Sequence, residues 1–222
     1  MSVKHVLFIL TNAAQIGPNK RPTGFYFPEV AHPFHEFDAA GYAIEFASLT
    51  GGSPPEDGYN ASDPQAKAFR DSKAYQRMRH SRRLSEIDVT SYDAVFVPGG
   101  LGPMVDMAEN PALEATLATA YEAGLIVGAV CHGPVALLNV RLNNGEHLLH
   151  GKRVTSFTNA EEDGYAAADV PFALQSALEA QGATFVEVDP WQPHAITDGR
   201  LVTGQNPASA GPVARQMLAA MA

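Results

Sequence analysis

The stretch Leu125-Ile126-Val127-Gly128-Ala129-Val130-Cys131-His132-Gly133-Pro134-Val135-Ala136-Leu137-Leu138 constrains the fold more than any other part of the chain. An apolar run of strand length and β-branched character stops at the only cysteine, and an apolar segment of helical character starts directly behind it. That spells strand, sharp turn and helix. A residue at such a turn takes strained backbone angles, and Ala129 and Gly133, two residues to either side of Cys131, are the small neighbours that crowd it least. The pattern A-x-C-x-G is therefore that of a nucleophile elbow with cysteine in place of serine. The free N–H groups and dipole of the following helix are expected to favour a thiolate at Cys131. Taken alone, a lone cysteine is most often an inert, buried small hydrophobe. Position argues otherwise: His-Gly-Pro comes directly after it, and the carboxyl end of a central strand is where open α/β sheets place their ligands.

The continuous apolar run 6–10 reads as a strand buried on both faces, and residues 44–49 and 92–97 read as further strands. The last runs into Pro98-Gly99-Gly100-Leu101-Gly102-Pro103, a glycine-rich turn whose N–H groups are able to point into a site. Gly100 is thus a candidate oxyanion-hole donor beside the N–H of His132, although an ordinary βα loop has the same glycine count. From Thr23 the pattern turns helical, with Val30, Phe34 and Phe37 at helical spacing, Pro28 in a first turn and Gly41 as a stop. Pro33 is expected to bend that helix or delay its start. Glu29 falls in its first turn, at the carboxyl edge of the sheet where Cys131 emerges, although from spacing alone compensation of the helix dipole is the more ordinary reason for a carboxylate there.

Residues 63–83 read as polar and helical, and the cluster Lys73, Arg77, Arg79, Arg82 and Arg83 as a solvated face. Asn110-Pro111 supplies an N-cap and first-turn proline to a helix ending at Gly124. His147 and His150 share a polar loop, but no third ligand stands at a familiar metal spacing. Residues 153–157 read as a strand, after which Thr158 and Asn159 are able to cap a turn bearing Glu161, Glu162 and Asp163. A helix at 170–180, a strand at 184–188, a hairpin at 196–203 turning on Asp198-Gly199, and a helix capped by Asn206-Pro207-Ala208-Ser209 complete the chain. With no linker and no repeat, residues 1–222 are expected to form one doubly wound α/β domain.

Charge and composition remove several function classes. A net charge of -9 is a deficit of the lysine and arginine that phosphate binding needs, so no nucleic-acid partner is expected. One cysteine cannot make an internal disulfide. The N-terminus lacks the pattern of a secretory leader and no apolar stretch reaches membrane-spanning length, so the expectation is a cytoplasmic protein without membrane attachment.

Four separated motifs together are more specific than the elbow: Thr23-Gly24 with Glu29 through His32-Pro33-Phe34; Ala129-Val130-Cys131-His132-Gly133-Pro134; Phe157-Thr158-Asn159-Ala160-Glu161-Glu162; and the run from Ile196-Thr197-Asp198-Gly199 to Asn206-Pro207-Ala208-Ser209. In this order they resemble the ThiJ/PfpI superfamily, and most closely its heat-shock chaperone-like branch, the glutathione-independent glyoxalase III enzymes. The resemblance implies an α/β, flavodoxin-like three-layer sandwich with a mostly parallel central sheet, related to class I glutamine amidotransferase domains, usually a homodimer and free of cofactor or metal. It implies Cys131 as nucleophile, His132 as its partner, Glu162 as the group orienting the histidine, and Glu29 as a carboxyl group beside the sulfur. One departure stands out: where the branch commonly carries Gly-His-Gly, this chain has Gly100-Leu101-Gly102, so the turn keeps its backbone donors and loses a side-chain donor. The implied activity is conversion of methylglyoxal or a similar 2-oxoaldehyde to a 2-hydroxy acid such as D-lactate. The alternatives are a holding chaperone with Cys131 as redox sensor, and peptidase, deglycase or isonitrile hydratase chemistry on the same residues.

Overall fold

The computed structural model describes residues 3–222. Its centre is a seven-stranded sheet. In chain order the strands and the helices that matter here are β1 (His5–Leu10), α1 (Pro28–Ala39), β2 (Ala43–Ser48), β3 (Arg82–Arg83), β4 (Ala94–Val97), α2 (Pro111–Glu122), β5 (Ile126–Val130), α3 (Asn159–Asp163), β6 (Ala195–Asp198), β7 (Leu201–Gly204) and α4 (Ala210–Met221). The spatial order is β6-β7-β5-β4-β1-β2-β3, and every neighbouring pair is parallel except the β6–β7 hairpin.

Strand residues alternate between two hydrophobic layers, as the period-2 geometry of a strand requires. Val6, Phe8 and Leu10 face Val30, Phe34 and Phe37 of α1 with Val213, Ala214 and Met217 of α4. Leu7 and Ile9 face Leu113, Leu117 and Ala120 of α2 on the other side. Both faces are covered, which makes the three layers and explains why the central strands read as unbroken apolar runs. Gly128 interrupts β5 because α4 approaches it there: a Cβ at this position would collide with the Met217 side chain.

Three local readings of the sequence change. Helix α1 starts at Pro28 and continues through Pro33, so Pro33 does not delay its start, and its lost hydrogen bond is offset by the burial of Val30, Phe34 and Phe37 around it. Residues 63–83 break into two short helices, Pro64–Arg70 and Lys73–Met78, followed by the edge strand β3, in which Arg82 and Arg83 pair with Ala47 and Ser48. Of residues 153–157 only Arg153–Val154 pairs as a strand, in a separate two-stranded sheet with Thr184–Phe185. Thr155 and Phe157 bond elsewhere, to Thr203 Oγ1 and the Cys131 carbonyl, and so brace the elbow.

Register places the site. Val97 lies opposite Ala129, so the glycine-rich turn after β4 and the turn after β5 leave the sheet side by side. Among the described residues no helix is long and apolar enough to cross a membrane, and no group of three or more His, Cys, Asp or Glu side chains converges as for a metal ion.

Candidate active site

Cys131 is the first residue beyond β5 and has φ +60°, a left-handed backbone that a side-chain-bearing residue adopts only under constraint. The constraint is visible on both sides: its N–H donates to Gly204 O at 2.9 Å, and its carbonyl accepts the Phe157 N–H at 2.8 Å. Gly133 completes the elbow because no Cβ fits there. One would press into the carbonyl oxygen of Val97 and lie 3.1 Å from that of Pro98. Gly133→Ala is therefore expected to cost about 2–3 kcal/mol, read as a lower urea midpoint with an unchanged denaturant slope.

The elbow leads into a 3-10 turn, Gly133–Leu137, rather than the helix expected from the apolar run. The thiolate expectation falls with it. Cys131 is 3% exposed, and burial together with the adjacent Glu29 charge pushes its thiol up, against backbone N–H groups of Gly100 and His132 that pull the other way. Those two N–H groups are the pair expected of an oxyanion hole, and both favour negative charge at the sulfur.

His132 is buried beside the sulfur, with Nδ1 3.4 Å from Sγ and Nε2 2.7 Å from Glu162 Oε2. With Nε2–H donating to the carboxylate, as that distance favours, Nδ1 is left as the acceptor facing the thiol. Glu162 reaches the histidine from the short helix α3, whose start is fixed by a capping box between Thr158 and Glu161. Of the acidic triplet, Glu161 and Glu162 point inward and Asp163 faces solvent.

Glu29 comes from the first turn of α1 and is fully buried. Its Oε2 accepts the Gly99 N–H at 2.7 Å, while Oε1 is buried without a hydrogen-bond partner. Burial pushes this carboxyl up to about 8, only partly opposed by the Cys131 thiol and the Gly99 N–H. Thiol and carboxyl thus ionise as a coupled pair. A dipole-compensating carboxylate would sit in water and stay ionised; Glu29 does neither.

Cys131, His132 and Glu29 line a cavity of about 90 Å³, with Tyr26, Gly100, Leu101, Phe157, Tyr165, Trp191 and Pro207 as the remaining walls. Leu101 is a buried apolar wall, so the turn contributes backbone donors only. Tyr26, Tyr165 and Trp191 are site residues that sequence reasoning missed. Tyr26 carries a usable signal, three residues before Glu29 at the mouth of the same helix; Tyr165 and Trp191 arrive from loops with no local pattern. Burial pushes the Tyr165 hydroxyl up to about 12 and raises that of Tyr26, so both remain protonated donors. Larger surface clefts exist, including one of about 630 Å³ lined by Gln15, Lys20 and Asp169, but none contains the elbow.

Comparison with known proteins gives the same picture. The family model described as the DJ-1/PfpI family matches residues 23–220. Glyoxalase 3 of Candida albicans is 33% identical over 213 residues, covering 90% of each chain. The glutathione-independent glyoxalase HSP31 of Saccharomyces cerevisiae is 31% identical, covering 95% of this chain and 94% of its own. The crystal structure of the 24 kDa rapid encystment protein of Francisella tularensis superposes with a TM-score of 0.95 at 30% identity, covering 99% of this chain and 100% of that one. Elbow, flavodoxin-like α/β sheet order and sequence identity agree, and the chain belongs to the DJ-1/PfpI family.

Proposed function

We propose that the chain converts methylglyoxal, or a 2-oxoaldehyde of similar size, into the corresponding 2-hydroxy acid without glutathione. The observation that carries this reading is Glu29, a buried carboxyl raised to about 8 and set against the only thiol in a cavity of about 90 Å³. The names of two relatives, both glyoxalases and one of them glutathione-independent, support it.

The chemistry rests on the positions. Cys131 Sγ adds to the aldehyde carbon while the thiol proton passes to His132 Nδ1, and Glu162 compensates the imidazolium. The oxyanion left on the aldehyde oxygen is held by the N–H groups of Gly100 and His132 and takes that proton to become a hemithioacetal. Glu29, as carboxylate, removes the hydrogen from the former aldehyde carbon. This leaves an enediolate: its second oxygen takes the proton of the hydroxyl on the first carbon, relayed by His132, and Glu29, now an acid, returns the abstracted proton to the second carbon. A carboxyl titrating near neutrality is suited to both halves of that transfer. The result is a thioester bearing a 2-hydroxyl; one water releases the acid and restores the thiol. Oxidation of one carbon balances reduction of its neighbour, so the reaction needs no external redox partner.

Purified protein incubated with methylglyoxal in the absence of glutathione is expected to yield D-lactate, quantified with a stereospecific lactate assay. Absence of lactate would overturn the reading. Glu162→Gln keeps the shape beside His132 but not the charge, and is expected to lower kcat by about 100-fold with little change in KM, measured in the same assay.

A further inference from the structure

The chain has one tryptophan, and it stands in a backbone conformation that bulky residues avoid. Trp191 has φ +66°, a left-handed backbone that a bulky L-residue keeps only where its surroundings enforce it. Residues 187–193 are all exposed, so no apolar core anchors this loop. A buried carboxylate does. Glu161 Oε1 accepts the Trp191 N–H at 2.7 Å, Asn206 Nδ2 at 2.8 Å and Gln205 Nε2 at 3.2 Å, while Oε2 accepts the N–H and hydroxyl of Thr158. Gln205 also brackets Val188 through its N–H and carbonyl, and Asn206 holds the carbonyl of Gln192.

The indole held in this way is 51% exposed on one side and walls the thiol cavity on the other. It meets Phe157 edge-on at 5.4 Å and Tyr165 at 6.3 Å between ring centroids, and Phe157 in turn packs on His132 at 4.5 Å. Phe157 and Leu101 belong to the buried core, and Tyr165 lies under the Arg21 guanidinium at 4.8 Å. Trp191 is therefore the most exposed of the walls, held by its backbone N–H on Glu161 and by edge contacts to Phe157 and Tyr165. The cavity it closes, about 90 Å³, is well below the roughly 150 Å³ in which an engineered apolar cavity holds benzene.

We infer that Trp191 is a specificity-determining residue whose indole sets the upper size of electrophile able to reach Cys131, with Glu161 as the residue that positions it. Small oxoaldehydes pass and aryl-substituted ones do not. This deepens the proposed oxoaldehyde reaction and rests on it for its meaning, so the test reads access to the thiol apart from turnover. Because Cys131 is the only cysteine, its alkylation by iodoacetamide and by N-phenylmaleimide is followed by whole-protein mass, each rate being normalised to that of a free thiol.

Trp191→Ala is expected to raise the N-phenylmaleimide rate by about tenfold or more while the iodoacetamide rate moves less than about threefold. Trp191→Phe, which keeps an aromatic wall, should fall between the two. Glu161→Gln should leave the indole in place but loosen it, shifting tryptophan emission to longer wavelength and raising the phenylmaleimide rate part of the way. A Trp191→Ala protein with an unchanged thermal transition and the wild-type ratio of the two rates would overturn the inference, whether or not methylglyoxal is turned over. Lack of turnover with a size-selective thiol would instead remove the proposed function and leave the gate standing.

Discussion

Cys131→Ser is expected to lower lactate formation from methylglyoxal by at least about 10⁴-fold, with a Tm close to that of the wild type. The two outcomes separate chemistry from folding. Serine fills the same space, tolerates the same backbone bonds to Gly204 and Phe157, and leaves His132, Glu162 and Glu29 where they are. Sulfur nucleophilicity is the property it removes. His132 Nδ1, which takes the thiol proton, lies 3.4 Å from Sγ, a distance suited to a large, polarisable sulfur and too long for a hydrogen bond that activates an alcohol. Steady-state lactate production and a thermal melt on the same preparation check both halves, and retention of more than about a tenth of wild-type turnover would exclude covalent catalysis at this position.

Glu29→Gln is expected to act in opposite directions on activity and stability. Glutamine can still accept the Gly99 N–H but can neither remove nor return a proton, so kcat should fall by about 10²–10⁴-fold. Stability should rise, and only at higher pH. The folded carboxyl is held near 8 against 4.5 for the free group, so between these values the native state binds the proton more tightly than the unfolded chain. Stability is fully present below pH 4.5 and is lost as pH rises toward 8, by up to about 5 kcal/mol for an uncoupled group. Glutamine carries no such penalty. Urea midpoints of the two proteins should converge near pH 4.5 and diverge by about pH 9, with the variant the more stable. A wild-type protein whose midpoint stays flat across this range would contradict the buried, proton-holding Glu29.

Much of the scaffold is legible in the sequence because its signals are local. The apolar runs of β1, β4 and β5, the Asn110-Pro111 start of α2 and the Asp198-Gly199 turn each state their structure within a few residues. The elbow is legible for the same reason, since Cys131 needs small residues at fixed offsets. Other features are not. The 3-10 turn after Cys131 lies where Gly133 packs on the end of β4, a contact between distant residues that an apolar periodicity does not register. The state of the thiol escapes helix-dipole reasoning because that reasoning is local, whereas burial of the sulfur is imposed by Glu29, Phe157 and the Trp191 loop from distant parts of the chain. Strand β3 escapes because two arginines at a sheet edge look like solvent-facing helix. Glu161 shows both sides: its capping box is readable as T-x-x-E, but its hold on Trp191, thirty residues away, is not.

The coupling of Cys131 to Glu29 is read most directly from the pH dependence of iodoacetamide alkylation of the single thiol, in the wild type and in Glu29→Gln. Removing a carboxyl that ionises beside the sulfur takes away the charge opposing the thiolate, so the alkylation limb should move down by about one pH unit or more in the variant. Superimposable profiles would mean that the two groups do not share a site, and the proton transfer assigned to Glu29 would fall with them.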